Sequence, residues 1–121
     1  MTPEGKLKKR VCAQLRKWHC TVLQYKQDAT TVKGFPDTIV LLPESVVIFI
    51  EFKRSKTAKF QPLQKQWNEK LLDRNYFAYI MYPENEKEIM AEIKTLLWRN
   101  TSRQNPVIRE KRPVNKMGFG G

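Results

Sequence analysis

Histidine and cysteine are almost missing from this chain. Its 121 residues hold one histidine, His19, and two cysteines, Cys12 and Cys20. Two cysteines cannot frame a disulfide scaffold, and a reduced, intracellular (cytoplasmic) setting fits them best. Together with a single histidine they also lack the spacing of a zinc finger. Five glycines and seven prolines are too few for a collagen-like or low-complexity chain, and 40% hydrophobic residues argue against disorder. No run approaches the ~18 apolar residues of a membrane span. The opening residues Met1-Thr2-Pro3-Glu4-Gly5-Lys6 contain no apolar segment of a secretory signal. A chain of this length buries roughly two-thirds of its unfolded surface and can form one domain without staples.

Acid is the other scarcity. Twelve Asp and Glu face 23 Lys and Arg, a net charge of +11. Such an excess points to a polyanionic partner, nucleic acid before membrane, because no basic amphipathic helix with an inserting apolar face stands out. Residues 99–121 carry six basic residues against Glu110 alone, a local net of +5. With Pro106, Pro113 and a Gly118-Phe119-Gly120-Gly121 end, and no sustained period, they read as an extended basic arm following a domain of residues 1–98.

Periodicity orders the rest. Thr2 and Pro3 suit an N-cap and first helical position, and Leu7, Val11, Leu15 and Trp18 recur at helical spacing. Residues 20–25 suit a short strand, and a polar loop follows from Gln27 to Lys33, closed by Gly34 and Pro36. Residues 37–42 and 46–53 suit two strands around the turn Pro43-Glu44-Ser45. The second is apolar on both faces, which places it centrally and covered on both sides. After a basic loop from Arg54 to Phe60, Gln61-Pro62 opens a helix with Leu63, Trp67 and Leu71 on one face. A strand at 77–82 comes next. Asn85 and Glu88 have capping-box spacing for a last helix, with Ile89, Ile93, Leu96 and Leu97 inside. Trp18 and Trp67 fall on apolar stripes and are expected in the core rather than stacked on bases, and Cys12 is expected there too. His19 suits a strand entry. The class is α/β, with helices on a small mixed sheet.

The hairpin permits a register argument. If Leu42 pairs with Val46, paired numbers sum to 88, and Asp37 falls opposite Glu51. Residues directly opposite have Cβ atoms ~4.5–5.5 Å apart. Lys53, two residues past Glu51, shares its face. Facing carboxylates repel, and the pair is tolerable if one is protonated, if a base intervenes, or if a divalent cation lies between. Oxygen-only donors favour Mg²⁺ or Mn²⁺ over zinc. Such an ion polarises a phosphoryl oxygen and lowers the pKa of water. Asp37 alone can be a turn residue and Glu51 with Lys53 a solvated ion pair at a strand end, but the trio together reads as a functional cluster.

Gly34-Phe35-Pro36-Asp37, thirteen residues, then Glu51-Phe52-Lys53 resembles the PD-(D/E)xK nuclease signature, and the flanking pattern is similar to the VRR-NUC family in particular. The likeness includes Glu4 on an early helix, Gly34, the Ile-Glu-Phe-Lys strand end, and Gln64 with Trp67 on the next helix. It spans about residues 4 to 82, and small stand-alone phage and bacterial members compare best. The resemblance implies a restriction-endonuclease-like αβββαβ core, here followed by a C-terminal helix and basic tail. It implies Asp37 and Glu51 as metal ligands, joined by the backbone carbonyl of Phe52 and by Glu4, with Mg²⁺ or Mn²⁺ as cofactor. It implies that Lys53 holds water or stabilises the phosphate, and that Gln64 reaches back toward the metal. Read from spacing alone, Gln64 can equally cap its helix with Gln61 across Pro62, and Glu4 can simply favour the helix dipole.

Lys26, Arg54, Lys56 and Lys59 border this site and are the candidate phosphate contacts. The resulting expectation is a metal-dependent, structure-selective DNA endonuclease acting on branched DNA, Holliday junctions in particular, as a homodimer in the cytoplasm (a host's, if phage-encoded). The alternatives are a flap- or end-directed nuclease and a non-catalytic basic binding module. No base-reading motif is present, so shape rather than sequence is the expected cue.

Overall fold

The computed structural model describes residues 1–26, 32–59 and 61–102. The elements follow the order α1 (Pro3–Lys17), β1 (Thr21–Gln24), β2 (Thr38–Leu42), β3 (Val46–Phe52), α2 (Pro62–Asp73), β4 (Phe77–Met81) and α3 (Glu86–Ser102), with a 3-10 turn at Pro83–Asn85. The four strands form one mixed sheet in the order β1-β2-β3-β4. The first two pairings are antiparallel, and β3 and β4 are parallel. Parallel neighbours need a crossover, and α2 is that connection.

The hairpin register is the one the sequence implies. Leu42 pairs with Val46, and the ladder runs back to Thr38 opposite Ile50. The turn between them holds Glu44 and Ser45 at φ near 65°. As expected, β3 is interior. Ile48, Ile50 and Phe52 face α1 and α3, where they join Leu7, Val11, Leu15, Val40, Met81, Ile89 and Ile93. Phe49 faces α2 and joins Leu71 and Ala78, with Phe35, Ile39 and Val47 alongside. The fold is thus three layers, with α1 and α3 on one face of the sheet and α2 on the other.

Both α1 and α2 are terminated by the same device. Cys20 N–H reaches back to Leu15 O and Tyr76 N–H to Leu71 O, each at 3.0 Å. His19 and Asn75 occupy the left-handed position that this closure requires, at φ 65°. His19 is therefore a helix terminator rather than a strand-entry residue. Thr2 caps α1 as expected, accepting from Gly5 N–H at 3.0 Å.

The capping pair Asn85–Glu88 does not form. A 3-10 turn precedes α3, and Asn85 closes that turn instead, accepting from Tyr82 N–H at 2.9 Å and donating to Ile80 O at 3.0 Å. Pro83 starts the turn two residues earlier, so the chain is already coiled when it reaches Asn85. Helix α3 continues to Ser102, so the first four residues of the 99–121 segment are helical and the rest of that segment lies outside the described residues. So do residues 27–31 of the polar loop and Phe60. Trp18 is half-buried against the α1 side of the core. Trp98 is 75% exposed.

Among the described residues, Gly34 is the one position where the backbone admits no side chain. Its φ is +81°, and a Cβ there would lie 2.5 Å from Leu63 Cβ and 2.6 Å from the Leu63 carbonyl carbon. The segment entering β2 thereby presses directly on the first turn of α2. Leu63 itself remains 44% exposed rather than part of the inner stripe. Gly34→Ala should destabilise the protein by about 2–4 kcal/mol, from left-handed strain and displaced backbone together. Urea unfolding followed by circular dichroism measures this, and an unchanged midpoint would refute the close approach.

Candidate active site

The site forms where the N-terminal turn of α1, the start of β2, the end of β3 and the first turn of α2 meet. Its floor is the Gly34–Asp37 segment, held from three sides. Phe35 packs edge-on against Phe49 of β3 and Trp67 of α2, with ring centroids 5.6 and 5.0 Å apart. Tyr25 donates its hydroxyl to Pro36 O at 2.5 Å, and its N–H meets Asp37 O at 3.3 Å. Trp67 is a packing residue, as expected, with the Lys70 ammonium 4.8 Å over its ring.

Asp37 emerges one residue before the β2 ladder. Its Oδ1 accepts from the buried Thr38 hydroxyl at 3.0 Å, and its Oδ2 from the Lys8 ammonium at 2.6 Å. Glu51 sits near the end of β3, after five apolar residues. Its Oε2 accepts from Gln64 Nε2 at 3.0 Å, while the buried Oε1 has no hydrogen-bond partner. Gln64 turns its Oε1 to the Lys53 ammonium. One amide thus bridges the acid and the base, and the helix cap at Gln61 is made without a side-chain hydrogen bond. Lys53 is anchored by its own N–H, which donates to Met81 O at 2.8 Å.

Electrostatics follow this packing. Burial pushes the Glu51 carboxyl from its ordinary 4.5 up to about 7, with the negative charge of Asp37 adding to the rise and Lys53 opposing it. Glu4 contributes a smaller upward push, so its charge is felt here although its side chain is exposed. The Tyr25 hydroxyl is raised by burial and then by Asp37 and Glu51.

The structure brings Asp37, Glu51, Lys53 and Gln64 together. Glu4 stands at the margin. The Phe52 side chain is buried in the core, which leaves only its backbone for the site. Lys26, Arg54, Lys56 and Lys59 are all exposed, the last three in the loop leaving Lys53. Lys8, Thr38 and Tyr25 were missed by the sequence reading. Lys8 had a signal, since it lies one turn after Glu4 on the same helix face. Thr38 and Tyr25 had none beyond adjacency to the two strand ends.

The donor set suits a hard cation. All side-chain donors are oxygens, two carboxylates lie within mutual influence, and Glu51 Oε1 is a buried acceptor lacking a partner. Among the described residues, no three His, Cys, Asp or Glu side chains converge into a metal cluster. Glu4 is therefore not a third carboxylate in direct reach, and a full shell on Asp37 and Glu51 would draw on backbone carbonyl and water.

A mixed sheet with helices on both faces, carrying acid, acid and lysine at adjoining strand ends, defines a PD-(D/E)xK-type nuclease core. The VRR-NUC domain model matches residues 4–85. The chain belongs to that family, a nuclease family. A solved structure described as a VRR_NUC domain superposes with a TM-score of 0.64 at 22% identity, covering 75% of this chain and 97% of that one, which shows the shared fold. No curated protein matches the sequence significantly. Among the described residues, no helix is long and apolar enough to cross a membrane.

The raised Glu51 pKa carries a stability signature in metal-free buffer. Between about pH 4.5 and 7 the folded protein retains a proton that the unfolded chain has released, so this contribution falls as pH rises through that window. Glu51→Gln removes the buried charge. It should stabilise the protein at pH 8 by on the order of 2 kcal/mol, and by much less at pH 4.5. Chemical denaturation in EDTA at the two pH values tests this; equal effects would refute the burial of the charge.

Proposed function

We propose that this protein is a divalent-metal-dependent, structure-selective DNA endonuclease that hydrolyses phosphodiester bonds of Holliday junctions as a homodimer. The observation that carries the nuclease chemistry is the convergence of Asp37, Glu51, Lys53 and Gln64, with the partnerless Oε1 of Glu51 among them. Asp37 and Glu51, with the Phe52 carbonyl, would hold Mg²⁺ or Mn²⁺, and Glu4 would contribute through water. A bound ion supplies Lewis-acid polarisation of a phosphoryl oxygen and a lowered water pKa. Lys53, steered by Gln64, places positive charge where the phosphate gains negative charge in the transition state. Gln64 also keeps Glu51 from rotating away from Asp37. The exposed Lys26, Arg54, Lys56 and Lys59 would hold the flanking DNA backbone, and the basic residues of 99–121 would add sequence-independent affinity.

The junction and the dimer rest on symmetry. One chain offers one acid–acid–lysine cluster and so one cut, whereas a four-way junction needs two opposed cuts, which a two-fold dimer supplies. Two free, buried thiols suit a reducing cytoplasm.

Asp37→Ala and Glu51→Ala should abolish Mg²⁺-dependent cleavage of labelled junctions while leaving DNA binding intact. Lys53→Ala should cost roughly 10²–10³ in rate, the scale of removing one charge-stabilising donor. A gel cleavage assay over junction, flap, duplex and single-stranded substrates, with Mg²⁺, Mn²⁺ or EDTA, reads all three. Near-normal cleavage by Asp37→Ala would end the nuclease reading.

Light scattering should give twice 14.3 kDa. A strict monomer, also on junction DNA, would reject the resolvase and leave a flap nuclease, which needs one site.

A further inference from the structure

Apart from the basic loop leaving Lys53, the excess positive charge of the described fold sits on one helix. Residues 27–98 contain ten basic and ten acidic side chains and are neutral overall, whereas residues 1–26 contain seven basic residues against Glu4 alone. Six of those seven lie on α1. Two of the six are committed. Lys8 is paired with Asp37, and Arg10 makes a bidentate contact with Glu86 of α3 at 2.7–3.2 Å. Lys6, Lys9, Arg16 and Lys17 are exposed and make no salt bridge among the described residues; Arg16 only approaches Gln24 Oε1 at 3.4 Å.

Their spacing sets their direction. Leu7, Val11, Cys12 and Leu15 bury one side of α1. Lys6, Lys9, Arg16 and Lys17 fall on the opposite side at 3.6 residues per turn, around Ala13. They form a rigid basic line about 16 Å long at 1.5 Å per residue. Helices α2 and α3 carry mixed charge instead, with Glu69, Asp73, Glu86, Glu88 and Glu92 among their lysines.

We infer that the outer face of α1 is a docking surface for the backbone of double-stranded DNA flanking the cleavage site. The N-terminal turns of α1 adjoin the site, since Lys8 reaches Asp37 and the charge of Glu4 acts on Glu51. The basic line begins at Lys6 and Lys9 on those same turns, so a duplex arm lying along it has one end beside the site. The surface reads phosphate and not bases. No aromatic side chain interrupts the line, so single strands find no stacking platform there, and duplex DNA presents one charge per ~1.7 Å of axis to match it. This surface deepens the nuclease reading by assigning it a duplex partner, yet its binding is separable from cleavage.

The test is metal-free binding of the full chain to a fluorescent 20-base-pair duplex, in EDTA, across a salt series. The variant K6Q/K9Q/R16Q/K17Q keeps good helix formers and leaves the inner face of α1 untouched. Its log K against log salt slope should be shallower by about 0.9 for each phosphate that is no longer neutralised, up to about 3.6 for all four. The variant K6Q/K9Q should show about half that change and serves if the fourfold variant misfolds. The control K65Q/K70Q/K87Q/K94Q removes the same charge from α2 and α3 and should leave the slope near wild type. An unchanged slope in the α1 variants, an equal change in the control, or a weakening confined to single-stranded oligonucleotides would each overturn the assignment. Abolished cleavage in Asp37→Ala bears on the nuclease reading alone, because none of these measurements uses catalysis.

Discussion

A carboxylate that ends an apolar strand must be reconciled with its surroundings. Glu51 follows a run of Val, Ile and Phe that is covered on both faces of the sheet, so its charge is carried partly into the protein. A second carboxylate, Asp37, adds repulsion. Lys8 on Asp37, Lys53 near Glu51, and Gln64 between Glu51 and Lys53 make that burial tolerable. They do not satisfy it fully, since Glu51 Oε1 still lacks a partner. An acidic pair neutralised from outside but left with a free inner oxygen is suited to a hard cation.

The rest of the fold positions this pair. Asp37 lies beyond the last rung of the β2 ladder, where the sheet no longer sets its direction. Close packing does so instead. Gly34 lets the chain touch Leu63, Phe35 wedges between Phe49 and Trp67, and Tyr25 holds the Pro36 carbonyl. Each contact ties the Asp37 segment to an element that carries another site residue or its neighbour. Helix α2 therefore serves as the crossover between parallel strands, as a wall of the smaller core, and as the support of Gln64.

Helix α1 has a comparable double role. Its inner face supplies much of the larger core, and its first turns bring Lys8 to Asp37 and set Glu4 at the margin of the site. Arg10 and Glu86 tie it to α3, while Tyr79 and Glu92 tie α3 to β4 at 2.9 Å. The edge strand β4 is thus braced from the face opposite α2. An apolar groove between β4 and α3, lined by Phe77, Tyr79, Ala91 and Leu96, is lined by none of the site residues and takes no part in this arrangement.

The sequence by itself determined the order of the elements and offered the central register. Strand periodicity is local, and a three-residue turn between two apolar runs makes Leu42 opposite Val46 the simplest pairing, but apolar runs tolerate a slip of one residue, so the structure selected it. From that register the convergence of Asp37, Glu51 and Lys53 at one strand end was already legible. The tertiary structure alone decided what surrounds them. Lys8 lies 29 residues from Asp37 and meets it only because α1 packs across the sheet. Gln64 had two chemically reasonable partners, its own helix end or the acid–lysine pair. Nothing local chose between them, and the close approach of Gly34 to α2 supports the second. Asn85 shows the converse: the capping spacing was present, but Pro83 had already begun the turn, and the amide went to the backbone of Tyr82 and Ile80. Spacing along the chain specifies which groups can meet, whereas the packing of helices on the sheet selects which of them do.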